Sequence, residues 1–143
     1  MNRTAKKGIA VVAAVLAVVF CAAFVRERLI GERPFAGWSN EEIARVELTL
    51  TPPDRTFTLT DAEVGELLPL LQQVVLYQRD DSYTDYAGQT VVFDVILRDG
   101  STIQIWEYNP FVIIDGEGYR AKYEPCEALN AFANQMLGER GQE

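Results

Sequence analysis

The sequence contains no histidine, and this absence removes many familiar catalytic designs. Histidine is the usual general base at neutral pH, the partner of nucleophilic serine or cysteine, and the commonest zinc ligand. Most hydrolase designs are therefore excluded. Because no other complete catalytic motif is present, we predict a protein that is not an enzyme, with no cofactor and no metal.

Cysteine is also scarce. Cys21 lies in a long apolar run and Cys126 lies near the other end of the chain, so we expect no intramolecular disulfide. The fold must be stabilised by its core.

Basic side chains are few in the body of the chain. Residues 26–143 contain ten Lys and Arg against twenty-one Asp and Glu, a net charge of −11. Such a domain repels phosphate backbones and anionic lipid headgroups, which disfavours nucleic-acid binding through a basic face. Cationic partners are favoured over anionic ones.

The longest apolar run, Gly8 to Val25, contains no charged residue. As a helix rising about 1.5 Å per residue it spans roughly 27 Å, just enough for a bilayer core. Arg3, Lys6 and Lys7 precede it on a short tail, residues 1–7, and this arrangement holds an N-terminus in the cytoplasm. We therefore predict a single-pass anchor at residues 8–25, with the rest of the chain outside the cytoplasm.

Three fates of this segment differ in what the mature protein keeps. We favour a retained signal-anchor, because the run is longer than the core of an ordinary signal peptide. Cleavage after Ala23 is an alternative, since Cys21 and Ala23 supply small residues at the positions that signal peptidase reads. Lipid attachment at Cys21 is the least favoured, because Phe20 stands where a small residue is expected.

The remaining sequence predicts one α+β domain at residues 38–138, joined to the anchor by a linker at 26–37 and followed by a tail at 139–143. The linker mixes charge with glycine and proline and has no apolar period. Alternating apolar residues predict six strands, and helical spacing predicts two helices, in the order β-β-α-β-β-β-β-α. We expect an antiparallel meander with both helices on one face of the sheet.

Local signals place the boundaries of these elements. Thr60 with Glu63 is a capping box that opens a helix running to about Leu76. The dipeptides Asp99-Gly100 and Asp115-Gly116 predict two-residue hairpin turns. The segment from Tyr77 to Gly88 is polar and rich in turn residues, so we predict a loop.

The face of the sheet away from the helices is the predicted interaction surface. Trp106, Thr102 and Gln104 lie opposite the core side of their strand, and Val92 and Ile96 occupy the same face of the preceding strand. A half-apolar, aromatic face is typical of a binding surface. The alternative is that the N-terminal segment around Trp38 covers it.

Acidic clusters suggest two further sites. For each, the alternative is that the carboxylates are ordinary solvated surface charges. Asp80, Asp81 and Asp85 have oxygen atoms that suit calcium, although their loop lacks the glycine and terminal glutamate of an EF-hand. Paired carboxylates for acid-base chemistry could come from four residues. These are Asp94, Glu107, Asp115 and Glu117.

Cys126 is the most reactive side-chain type available. The dipole of the last helix would lower its pKa if it lies in the first turn, whereas Glu124 and Glu127 beside it would raise the pKa. We favour a small residue that packs the start of the helix.

The stretch from Gly116 to Asn130, GEGYRAKYEPCEALN, resembles small membrane-anchored extracytoplasmic domains of Clostridia-like Firmicutes. The likeness extends more loosely back to about Ile43. These domains have no assigned function, so the resemblance implies a Gram-positive cell-surface setting and no particular activity.

These observations favour a membrane-tethered, non-enzymatic domain outside the cytoplasm that binds another envelope or membrane protein. The alternative is a domain that senses a ligand or a cation through the Asp80 to Asp85 loop.

Overall fold

The apolar segment at the N-terminus forms one continuous helix. The computed structural model describes residues 3–141 of the chain. Helix α1 (Arg3–Val25) continues through a π-helical turn at Arg26–Ile30, and none of the side chains described in these two segments is buried. Together they form a 28-residue helix that is long and apolar enough, by length and composition, to cross a membrane.

A seven-stranded antiparallel sheet forms the body of the chain. Its strands are β1 (Ile43–Thr51), β2 (Arg55–Thr58), β3 (Leu76–Arg79), β4 (Thr90–Leu97), β5 (Thr102–Tyr108), β6 (Phe111–Ile114) and β7 (Glu117–Ala121). They lie in the order β2-β1-β4-β5-β6-β7-β3. The run from β4 to β7 is the predicted meander, and the early hairpin of β1 and β2 joins it through the pairing of β1 with β4.

Helices α2 (Asp61–Gln72) and α3 (Tyr123–Arg140) bury the apolar face of this sheet. The ring centroids of Phe93 in β4 and Phe132 in α3 lie 6.5 Å apart. Arg140 at the end of α3 forms an ion pair with Glu63 in the first turn of α2. The α+β class and the antiparallel sheet with both helices on one face are therefore confirmed.

Both Asp-Gly dipeptides turn the chain as predicted, but with different loop lengths. Asp115 and Gly116 have φ values of 49° and 88°, as a two-residue type I′ turn requires. At the other hairpin the Leu97 amide donates to the Ser101 carbonyl at 2.8 Å, so three residues form the loop. Gly100, with φ of 90°, ends that loop in the left-handed conformation that glycine adopts without strain.

Strand β3 lies where the sequence predicts the end of a helix and the start of a loop. Helix α2 ends at Gln72, and after a short connection Leu76 pairs with Ala121 of β7 at the edge of the sheet. Only Leu76 of the four strand residues is buried. Four residues with one buried side chain carry little alternation, and the pairing partner is distant in sequence, so the pattern missed this strand.

The chain before β1 is bound to the domain from Glu32 onward, whereas the sequence predicts a linker up to residue 37. The Glu32 amide donates to the Leu76 carbonyl at 2.7 Å, and the Leu76 amide returns a bond of 2.8 Å. The Arg33 guanidinium donates two hydrogen bonds, of 2.6 and 3.1 Å, to the carbonyl of the last residue of α2. Phe35 is buried in the core beside Trp38. One phenylalanine among glycine, proline and charge has no period, which is why the pattern did not reveal it.

Candidate functional site

The five residues predicted as an interaction surface come together on the second face of the sheet, the side away from α2 and α3. The register of β4 and β5 places Val92 opposite Trp106 and Ile96 opposite Thr102. Gln104 lies between these two pairs. We call this region, together with Asp94 and the neighbouring Arg45, Glu47 and Thr49 of β1, the open surface.

Hydrogen bonds hold the indole of Trp106 in place within the open surface. Trp106 Nε1 donates to Gln104 Oε1 at 2.7 Å, and Gln104 Nε2 donates to Asp94 Oδ1 at 2.9 Å. All three side chains are half-buried. Because its polar nitrogen is already bonded, the indole offers mainly its apolar ring to a partner.

The remainder of the second face is covered by the loop that joins β3 to β4. Phe111 and Ile113 lie on this face, yet both are buried, and the rings of Tyr83 and Tyr86 lie 6.4 and 5.4 Å from that of Phe111. Gly118 allows this approach, because a Cβ there would lie 2.6 Å from the Asp80 carbonyl oxygen. The second face is thus divided between a covered half and the open surface.

The segment around Trp38 does not lie on the open surface. Trp38 packs against the main core, and its carbonyl accepts a hydrogen bond of 2.8 Å from Gln72 Nε2 in α2. The alternative in which this segment covers the predicted surface is therefore not the arrangement found.

The aspartates of the predicted cation loop hold that loop on β7. Asp80 Oδ2 accepts from Arg120 Nε at 2.8 Å and Oδ1 accepts from the Ser82 amide at 2.9 Å. Hydrogen bonding by the Ser82 side chain, by Arg120 and by the Ser82 amide lowers the pKa of Asp80 to about 2. Asp81 Oδ1 accepts from the Gly118 amide at 2.9 Å. Across residues 3–141, no three side chains of the usual ligand types gather where they could hold a metal ion. These loop oxygens accept hydrogen bonds that attach the loop to β7 and to its own main chain.

The four acids considered for acid-base chemistry do not form one site. Asp94 lies on the open surface, Asp115 accepts from a main-chain amide of β5 at 2.9 Å, and Glu117 pairs with Arg79 at 3.0 Å. Glu107 projects to the opposite face, where α3 covers it. Each acid has its own surroundings, so no catalytic pair is assembled from this set.

Glu107 is the one charged side chain that is fully buried in the described part of the chain, with 1% of its surface exposed. Its Oε1 accepts from the Asn109 amide at 2.9 Å and its Oε2 from Asn130 Nδ2 at 3.3 Å. Burial raises the pKa of Glu107 to about 7 despite these bonds. The alternation Ile103, Ile105, Glu107 already assigns this carboxyl to the core side, and that was the sequence signal for it.

Cys126 lies in the first turn of α3, and it is fully buried. Burial, with a further contribution from the negative charge of Glu107, raises the pKa of the thiol to about 12. A nucleophilic thiolate is therefore disfavoured, because the thiolate is the reactive form.

We expect N-ethylmaleimide to modify Cys126 of the folded protein at least a hundredfold more slowly than in urea. At pH 8, raising the pKa from 9.0 to about 12 lowers the thiolate fraction roughly a thousandfold. Mass spectrometry of a Cys21→Ser chain in detergent would follow Cys126 alone. Comparable rates in the two conditions would mean that this thiol is open to reagents and substrates.

Comparison with protein-family models, with curated proteins and with solved structures found no match to this chain.

Proposed function

We propose that this protein is a membrane-anchored domain, outside the cytoplasm, that binds another protein of the cell envelope through the open surface. The observation that carries the proposal is the open surface itself: four adjacent half-buried side chains, two aliphatic, one aromatic and one amide, which no helix or loop of the described chain covers. They are Val92, Ile96, Gln104 and Trp106. Tryptophan contributes more to interface energies than most residue types.

The charge of the domain favours a partner with basic residues. The open surface carries Glu47 and Asp94 against one basic side chain, Arg45, which pairs with Glu47 at 3.2 Å. Beyond the anchor the chain has a net charge of −11. Complementary charge accelerates the encounter and excludes acidic partners.

The proposed cellular setting rests on the basic residues before α1 and on the resemblance of residues 116–130. Basic residues precede the apolar run on a very short tail, which supports an N-terminus in the cytoplasm and a domain on the outer side. The resemblance of residues 116–130 to anchored domains of Clostridia-like Firmicutes supports a Gram-positive envelope.

Site-specific photocrosslinking in intact cells tests this function. A photoreactive amino acid at Thr102, which is exposed on the open surface, is expected to give one protein adduct. The matched control is the same amino acid at Glu66, exposed on α2 on the other side of the sheet. Trp106→Ser in the Thr102 probe is expected to reduce the adduct at least tenfold.

Two outcomes of the crosslinking would contradict the proposed function. Equal adducts from both probe positions, or an adduct that Trp106→Ser leaves unchanged, would show that the open surface is not the contact. Circular dichroism of the Trp106→Ser chain would first establish that it is folded.

A further inference from the structure

A cleft at the end of β5 is formed by three segments of the chain. The end of β5 and the turn after it form one wall, α3 forms another, and the stretch from Tyr86 to Gln89 forms the rim. Its volume is about 360 Å³, within the range of small-molecule sites. The residues that line it are Tyr86, Ala87, Gly88, Gln89, Glu107, Tyr108, Asn109, Glu127 and Asn130.

The cleft has more hydrogen-bond acceptors than the protein has donors for them. The buried Glu107 carboxylate accepts one bond at each oxygen, of which the bond from Asn130 is long at 3.3 Å. The Asn109 Oδ1 atom is buried and accepts no hydrogen bond from the described chain. At the rim, Glu127 Oε2 is 3.5 Å from Asn109 Nδ2, at the limit of a hydrogen bond.

No positive charge balances these acceptors. None of the nine described residues that line the cleft is lysine or arginine. A buried carboxylate without a cationic partner destabilises the folded protein, because the charge has lost its hydration and no ion pair compensates for that loss. The chemical complement of such a cleft is a small group with a positive charge and several N–H donors.

We propose that this cleft binds the ammonium group of a small amine, with Glu107 at its floor and Glu127 at its rim. An ammonium group has three donors and a compact charge, which match a carboxylate and an amide oxygen in a narrow site. A metal ion fits less well, since the described residues bring together no third ligand of the usual types. None of the residues that form the open surface lines the cleft, so this site is independent of the proposed function.

Binding of an amine must be linked to the protonation of Glu107. A cation stabilises the charged form, so it lowers the pKa of Glu107 from about 7, and by reciprocity the amine binds more tightly as pH rises. Cys126 and Glu127 face Glu107 from α3, and Tyr86 and Tyr108 face the cleft from its rim and from β5. Of these neighbours, Glu127 is acidic and none is basic.

The test uses 1,4-diaminobutane as the probe and 1,4-butanediol as its uncharged counterpart. The full chain in non-ionic detergent, labelled with carbon-13 at the glutamate carboxyls, reports the titration of Glu107 by NMR. Saturating diamine is expected to lower the Glu107 midpoint by at least one pH unit, whereas the diol leaves it unchanged. Affinity for the diamine is then expected to be at least about fivefold higher at pH 8 than at pH 5.5.

Variants distinguish binding of the diamine in this cleft from its nonspecific attraction to an acidic protein. Glu107→Gln is expected to weaken diamine binding at pH 8 at least tenfold, and Glu127→Gln to weaken it less. Glu66→Gln, which removes an exposed charge on α2, serves as the control and leaves binding unchanged. An unmoved Glu107 midpoint, or equal losses in the Glu107 and Glu66 variants, would overturn the proposal.

Discussion

Replacing Glu107 by glutamine is expected to raise the free energy of unfolding by about 3 kcal/mol at pH 8 and to leave it almost unchanged at pH 4. The folded protein holds this carboxyl with a pKa of about 7, against an ordinary value of 4.5 in an unfolded chain. The cause is burial, because only 1% of the surface of Glu107 is exposed. Glutamine has nearly the same shape and carries no charge to desolvate.

The sign of the pH dependence follows from which state releases the proton first. Below pH 4.5 the Glu107 carboxyl is protonated in both the folded and the unfolded state, so it does not lower the free energy of unfolding. Between pH 4.5 and about 7 the unfolded chain ionises while the folded protein stays protonated, so stability falls as pH rises. Above pH 7 the folded carboxyl is also charged, and the loss stays constant.

Urea unfolding of the full chain in detergent, followed by tryptophan fluorescence at several pH values, measures this difference. The wild-type chain is expected to lose stability from pH 4.5 to 7 relative to Glu107→Gln. Glu66→Gln is the control, because its charge is exposed in both states. Parallel curves for the wild type and Glu107→Gln across the range would contradict the assignment.

Replacing Phe35 by alanine is expected to lower the free energy of unfolding by about 3 to 5 kcal/mol, the cost of removing a buried aromatic ring. Phe35 is 2% exposed and its ring centroid lies 4.7 Å from that of Trp38. This cost is large for a position that the sequence predicts to be a linker. It follows from the segment after Gly31 being part of the core.

The matched control for Phe35 is Leu29, an apolar residue that lies six positions earlier and is 72% exposed. Leu29→Ala is expected to change stability by less than about 0.5 kcal/mol, as for a surface site. Phe35→Leu keeps most of the volume and is expected to fold with an intermediate loss. Equal stability of Phe35→Ala and Leu29→Ala in urea unfolding would mean that the segment is a free tether after all.

The attachment of the segment after Gly31 leaves only a short connection between α1 and the domain. From Glu32 onward the chain is hydrogen-bonded to the edge strand β3, and only Arg26–Ile30 and Gly31 separate that contact from α1. Gly31 turns the chain with φ of 74°, and a Cβ there would lie 2.6 Å from the Leu76 carbonyl oxygen. In the proposed membrane-anchored state, this short connection would hold the domain close to the bilayer rather than on a long tether.

Local sequence was sufficient for most of the sheet. Strand β1 occupies Ile43–Thr51, where apolar side chains at every second position have one face to bury whatever the pairing partner is. The capping box of Thr60 and Glu63 starts α2, with the Glu63 amide donating to Thr60 Oγ1 at 3.3 Å. Such signals work at short range, so they survive in a single sequence.

The candidate surfaces were less accessible to the sequence. Alternation placed Val92 and Trp106 on one face, and their cross-strand pairing required only that β4 and β5 form a hairpin. It could not show that the loop around Tyr83 buries Phe111 and leaves Trp106 at the border of the uncovered half. That division depends on where a polar loop folds back in space.

By itself, the sequence determined an apolar helix able to span a membrane, an acidic α+β domain and the side of the sheet that bears Trp106, because composition and periodicity are properties of neighbouring residues. The tertiary structure decided the rest. It made Phe35 a core residue, brought β3 to the edge of the sheet, covered half of the second face and enclosed Glu107 under α3. Each of these depends on contacts between segments far apart in the chain, and burial by a distant segment leaves no period in the sequence.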